Sequence, residues 1–302
     1  MLPALLAHDQ CQLAAIASKS ATNQEIPDGV DLYHDYDQLL QDDRIEIIYI
    51  ALPNSMHTTW TRKALLAGKH VLCEKPLTMN VVEAKALTSL AQSRSLLLME
   101  GYMYRYSKRM ALLESYLDRE VIGSVQYIQS NFFSLRSRLA GIRSQKDLGG
   151  GALWDLGVYP INLINYLLNQ DGSNTVRRLI ATGTKEGEVE SAVSGQIVYA
   201  DGTIGVFGCG WISEVRDITT ILIGTKGRIV IEGLFNWAPG RIQILTDDEV
   251  ISIEIEEEDP FTGELDACIN HLHHKGPLHM TLEESIRAIH LTSDVMQMMQ
   301  LV

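Results

Sequence analysis

Through the first hundred positions the apolar residues fall in short continuous runs separated by helical stretches. Residues 13–18 predict a buried strand ending in the polar pair Ser18-Lys19. Residues 37–40 lie in a helical stretch, and residues 45–52 form a strongly apolar strand closed by Pro53-Asn54. A helix over 56–67 stops at Gly68, and a third strand at 70–73 runs into Glu74-Lys75-Pro76. Helix 81–93 and a fourth strand at 96–100 complete the series. Continuous apolar strands alternating with helices predict a parallel sheet covered on both faces.

The pattern then changes. A β-rich region opens at residue 125, and Gly149-Gly150-Gly151 leads into a helix over 152–168. Turns at 200–203, 224–227 and 247–249 read as hairpins, the first on its Asp-Gly pair. From residue 261 the chain reads as helical, with a Thr281-x-x-Glu284 cap. This half predicts an open, mostly antiparallel sheet with helices on one face. The fold class is therefore α/β followed by α+β, with expected domains at 1–104 and 105–302.

Composition narrows the partners. The 302 residues carry a formal charge of −13, and such a surface repels phosphate backbones, which argues against nucleic acid. There is no apolar stretch long enough for a membrane helix. The first residues have neither the basic flank nor the apolar core of a signal peptide. The four cysteines are far apart with no Cys-x-x-Cys spacing, so free thiols in a reducing cytoplasm are expected. His271, His273, His274 and His279, interrupted by Lys275-Gly276-Pro277, read as an exposed helix end, and no metal is expected.

Three strand ends carry chemistry, and parallel sheets bind ligands beyond the carboxyl ends of their strands. Each alone reads equally as a polar loop; their succession points to a site. Ser18-Lys19 stands where a dinucleotide fold places the adenosine ribose. A hydroxyl and a cation in place of a carboxylate suit a 2′-phosphate, so NADP is preferred and NAD is the second choice. Lys75, followed by a proline, is either a surface lysine or a proton donor to a substrate oxygen. Asp155 and Tyr159 are four apart and share a helix face, which makes them a carboxylate–phenol pair or a helix-end acid beside a core tyrosine.

Leu52-Pro53-Asn54 with His57, residues 67–77 around Glu74-Lys75-Pro76, and residues 100–106 together resemble the glucose-fructose oxidoreductase, inositol dehydrogenase and rhizopine-catabolism family. The segment 149–160 is similar to the branch containing dihydrodiol dehydrogenase, which carries tyrosine where other members carry histidine. The resemblance implies a Rossmann domain, an α+β domain, a nicotinamide cofactor and a sugar or diol substrate. It implies Lys75 as the catalytic lysine, Tyr159 as its acid/base partner and Asp155 as the group that orients substrate or lysine. It places Pro53, Asn54, His57, Glu74 and Arg105 on the cofactor side, with Leu52 in the same motif.

One departure is expected. The family's first strand and Gly-x-Gly-x-x-Gly turn have no place before Leu13, so the strands ending at Ser18 and Leu52 should lack their common neighbour, leaving a truncated Rossmann-like sheet. The competing reading is a non-catalytic relative that keeps the fold for dimerisation or regulation. Apolar residues on both faces of the later strands predict a homodimer. Arg136, Arg138, Arg143 and Trp211 are expected near the substrate.

Overall fold

The computed structural model describes residues 1–302. The first hundred residues order as α1 (Leu2–Ala7), β1 (Ala15–Ala17), β2 (Asp31–Tyr33), α2 (Tyr36–Leu40), β3 (Ile47–Ile50), α3 (Asn54–Leu66), β4 (His70–Glu74), α4 (Val81–Ser93) and β5 (Leu98–Gly101). Every pairing among these strands is parallel. β1 and β2 form one small sheet, whereas β3, β4 and β5 form another. The two expected neighbours of one central strand thus stand in separate sheets. That separation corrects one detail: β1 is half-buried along its length, not buried, because only β2 pairs with it. The three-residue β2 has too few residues for a visible alternation and was absent from the sequence pattern.

Helix ends follow local chemistry. Asn80 caps α4, its side chain accepting the N–H groups of Val82 and Glu83. Gly68, at φ 78°, turns the chain out of α3 in a conformation that favours glycine. The Lys75-Pro76 peptide bond after β4 is cis.

The rest comprises α5 (Lys108–Asp118), β6 (Val125–Leu135), α6 (Val158–Leu168), β7 (Val176–Glu186), β8 (Val189–Tyr199), β9 (Ile204–Ser213), β10 (Thr219–Gly224), β11 (Gly227–Glu232), β12 (Gly240–Thr246), β13 (Val250–Ile255), α7 (Pro260–His274), α8 (Leu282–Met298) and β14 (Gln300–Leu301). Nine strands form one sheet in the order β13-β12-β11-β10-β6-β9-β8-β7-β14, parallel only at β6–β9 and β14–β7. The three expected hairpin turns lie between β8 and β9, β10 and β11, and β12 and β13.

One face of this sheet is buried. Ile128, Val193, Ile197, Phe207, Cys209 and Leu222 pack there with Leu153, Ile161 and Ile164 in the main core. A second core lies in the first hundred residues, around Ile48, Leu65, Val71 and Leu87. Helix α8 serves both: Ile289 enters the second core, while Leu291 and Val295 enter the main one. No helix is long and apolar enough to cross a membrane. All four cysteines are free, and Cys73, Cys209 and Cys268 are buried.

A buried acid in β5 gives the fold a pH dependence. Glu100 is 2% exposed. One of its oxygens accepts the Leu77 N–H at 2.7 Å, and the other has no partner. Burial pushes its pKa up to about 7. The folded protein therefore holds a proton that the unfolded chain releases at lower pH, so this group's contribution to stability falls as pH rises between the ordinary glutamate value and about 7. Glu100→Gln should flatten that slope, read as the urea midpoint at about pH 5 and about pH 8. An unchanged slope would refute the assignment.

Candidate active site

Lys75 follows β4 directly and is 8% exposed. Its Nζ donates to the Asp155 carbonyl at 2.7 Å and to Asp155 Oδ1 at 3.1 Å. Asp155 lies in a single π-helical turn, Leu153–Gly157, that runs straight into α6. Such turns widen a helix locally and recur at functional sites. The second oxygen of Asp155, Oδ2, accepts from Arg143 Nε at 2.9 Å. Burial opposes the charge on Asp155, but Lys75 and Arg143 together outweigh it and hold the carboxyl below its ordinary value.

The glycine run positions this turn. Gly149 and Gly151 have φ of 76° and 109°, conformations that L side chains rarely adopt. Asn54, at the start of α3, donates to the Gly149 carbonyl at 2.9 Å and ties the run to the first parallel unit. Buried Glu190 on β8 accepts the Leu153 N–H at 3.0 Å from the other side. The segment carrying Asp155 is thus held between the two halves of the molecule.

Tyr159 stands next to Lys75, with its ring centroid 5.0 Å from Nζ. The ring packs edge-on against Tyr102 and Phe132, with centroids 5.7 and 5.3 Å away. Burial, with Glu74 and Asp155 nearby, raises its pKa well above the ordinary phenol value, so it stays protonated. The hydroxyl faces Met103 Sδ at 3.8 Å. Asp155 pairs with Lys75 and Arg143, and no hydrogen bond joins it to the Tyr159 phenol. A thioether is a weak acceptor, so the phenol O–H is only loosely held.

The remaining predicted residues divide into two groups. Ser18, Lys19, Leu52, Pro53, Asn54 and Glu74 lie at or just beyond the carboxyl ends of β1, β3 and β4. Ser18 Oγ accepts the Ala21 N–H at 3.1 Å, while exposed Lys19 forms no ion pair and lies 5.7 Å from the Tyr36 ring. Glu74 accepts from the Tyr49 hydroxyl at 2.5 Å. His57 and Arg105, in contrast, do not line the cleft. His57 is 1% exposed, and its ring nitrogens lie 2.7 Å from the Pro76 carbonyl and 2.8 Å from the Leu52 carbonyl. It braces the two strand-end loops from beneath. Burial lowers its pKa, and the two carbonyls oppose that shift.

Arg105 is buried beneath α8, its guanidinium 3.4 Å from the Tyr166 ring centroid and bonded to the His279 carbonyl. A cation so enclosed is an internal brace. Trp211, expected near the substrate, is 1% exposed in the main core because it falls on the inward face of β9. Sequence reasoning missed the contacts of Arg143 and Glu190. Their links to Asp155 and Leu153 join separate elements and leave no periodic trace.

Residues 1–102 match the profile of the GFO/IDH/MocA oxidoreductase family with NAD-binding Rossmann fold, and residues 110–230 match the GFO/IDH/MocA C-terminal domain. The chain is 31% identical over 257 residues to a dTDP-3,4-didehydro-2,6-dideoxy-alpha-D-glucose 3-reductase from Streptomyces violaceoruber, covering 81% of this chain and 72% of that one. It is 30% identical to D-xylose 1-dehydrogenase (NADP(+)) 2 from Haloferax volcanii, over 88% of this chain and 83% of that one. Among solved structures it is similar to a 3-ketoreductase from Actinomadura kijaniata in complex with NADP and TDP-benzene. There the TM-score is 0.89 and the identity 28%, with coverage of 100% of this chain and 94% of that one.

Proposed function

Because the chain belongs to the GFO/IDH/MocA family of oxidoreductases, we propose that it transfers a hydride between NADP and a hydroxyl-bearing carbon of a sugar or related cyclic substrate. The observation that carries this reading is Lys75, buried at a strand end and fixed by both the carbonyl and the carboxylate of Asp155. The relatives named above are reductases or dehydrogenases of sugars, which supports the substrate class.

The residues fit the ribose and nicotinamide ends of the cofactor. Ser18-Lys19, Leu52-Pro53-Asn54 and Glu74 occupy the edge at which parallel sheets bind dinucleotides. Lys19, exposed and free of any ion pair, suits the adenosine 2′-phosphate, with Ser18 beside it. Pro53, Asn54 and Glu74 take the nicotinamide side. A bound nicotinamide supplies the hydride chemistry. Asp155 holds Lys75 in place, and Lys75 polarises the substrate oxygen. Tyr159, protonated by virtue of its burial, gives the proton to that oxygen in reduction and takes it back in oxidation.

By fluorescence titration NADPH should bind at least ~tenfold more tightly than NADH, and Lys19→Ala should remove most of the difference. Equal affinities would overturn the 2′-phosphate assignment. Binding of neither nucleotide would favour the non-catalytic alternative.

We place the boundary between the two units near residue 104 and a homodimer across the outer face of the nine-stranded sheet. Tyr127, Phe133, Val206, Ile221 and Ile223 share that face by register, and none of them is buried. Apolar side chains left there favour a second copy. Sedimentation at micromolar concentration should give a dimer, and a monomer would refute it. Four free thiols support a cytoplasmic setting.

A further inference from the structure

Charge is unevenly placed in this acidic chain. Against a total of −13, residues 136–148 carry Arg136, Arg138, Arg143 and Lys146 against a single acid, Asp147. The segment belongs to no strand or long helix. It leaves β6 as a short turn at Arg136–Arg138, passes through Gly141–Ser144 and ends at Lys146–Leu148, just before the glycine run. Its backbone is fastened over the site. The Gly150 N–H donates to the Gln145 carbonyl at 2.9 Å, and the Gly151 N–H to the Arg143 carbonyl at 3.0 Å. A side chain on Gly150 would strike the Arg143 and Ile142 carbonyls, so the fit is close.

Within this loop Arg143 is oriented. Its Nε is engaged with Asp155 Oδ2, and no protein group accepts from its two terminal nitrogens. The side chain is partly exposed, so those nitrogens can meet a ligand. Arg138 and Lys146 are exposed and form no ion pair, whereas Arg136 is partly occupied by Glu186 at 3.2 Å. A guanidinium fork matches the paired oxygens of a phosphate or carboxylate. A cationic rim in an otherwise acidic protein also concentrates anions at that mouth.

We infer that Arg143, with Arg138 and Lys146 on the same loop, takes an anionic group of the substrate, so that the substrate is a sugar bearing a phosphate or a carboxylate. The inference rests on the reading of Lys75 and Asp155 as the reaction centre. Arg143 reaches that centre through Asp155, which places the anionic group beside the reacting part of the sugar.

Calorimetric titration of the NADPH-loaded protein with glucose, glucose 1-phosphate, dTDP-glucose and glucuronate tests this. At least one anionic probe should bind about tenfold or more tightly than glucose, and that advantage should shrink when NaCl is raised from about 50 to about 500 mM. A preference for the phosphorylated probes identifies phosphate, and one for glucuronate identifies carboxylate. Arg143→Gln should cut the favoured affinity several-fold, and the exposed pair Arg138→Ala with Lys146→Ala, away from Asp155, should do so while leaving glucose unchanged. The double variant does not touch Asp155, so a fold defect there is not expected, and its melting curve checks that. Glucose binding as tightly as every anionic probe, or no anionic probe binding, overturns the inference. If NADPH binding persists in that case, the oxidoreductase reading survives; if it is also absent, both fall together.

Discussion

Lys75→Met is expected to lower kcat by at least ~100-fold while leaving NADPH affinity within about twofold of wild type. The lysine acts at the substrate oxygen, and the methionine keeps its length and apolar stem without the charge. Removal of the ammonium leaves Asp155 paired with Arg143 at 2.9 Å, so the turn retains a charged partner and the fold should persist. The comparison with Tyr159→Phe matters here. If the phenol carries the proton, that variant should also lose most of its kcat with little change in KM. The measurement is NADP reduction across a panel of aldoses and cyclic diols, with single-turnover traces to separate chemistry from product release. Wild-type turnover in Lys75→Met would remove the lysine from the mechanism.

Gly151→Ala should be strongly destabilising. At φ 109° an alanine is strained whatever room it has. Here it also lacks room, because its Cβ would press into the carboxylate of Glu190. Glu190 cannot retreat cheaply, since it is buried and holds the Leu153 N–H at 3.0 Å. Backbone strain and overpacking together should cost roughly 2–5 kcal/mol, a large share of a typical folding stability of about 5–15 kcal/mol. Urea titration should show a markedly lower midpoint, and residual activity should fall as the turn carrying Asp155 shifts. A midpoint equal to wild type would mean that Glu190 is not the constraint described.

What was legible in the chain followed from local chemistry. Helix α4 appears over Val81–Ser93 as its periodicity predicts, and Asn80 supplies the cap. The glycine-containing turns stand between the strands they were expected to join, because turn geometry is set by a few adjacent residues. Lys75 and Asp155, eighty positions apart, were each marked by their setting at a strand end and a helix start. Their contact was not readable from spacing. His57 and Arg105 show the limit from the other side. Both sit in segments with family-like character, yet the fold turns them inward against backbone carbonyls. Arg143 was visible as a cation in a loop, but only the closing of that loop over Gly150 and Gly151 brings it to Asp155.

Helix α8 has a consequence for how the molecule is made. Ile289 fills a place in the core formed by the first hundred residues, beside Leu87 and Ala91 of α4. A ribosome delivers α4 long before it delivers Ile289, so this core stays open on one side until α8 emerges. Order of emergence and order of completion are therefore reversed: strands β3 to β5 are sealed by a helix that leaves the tunnel after all of β6 to β13.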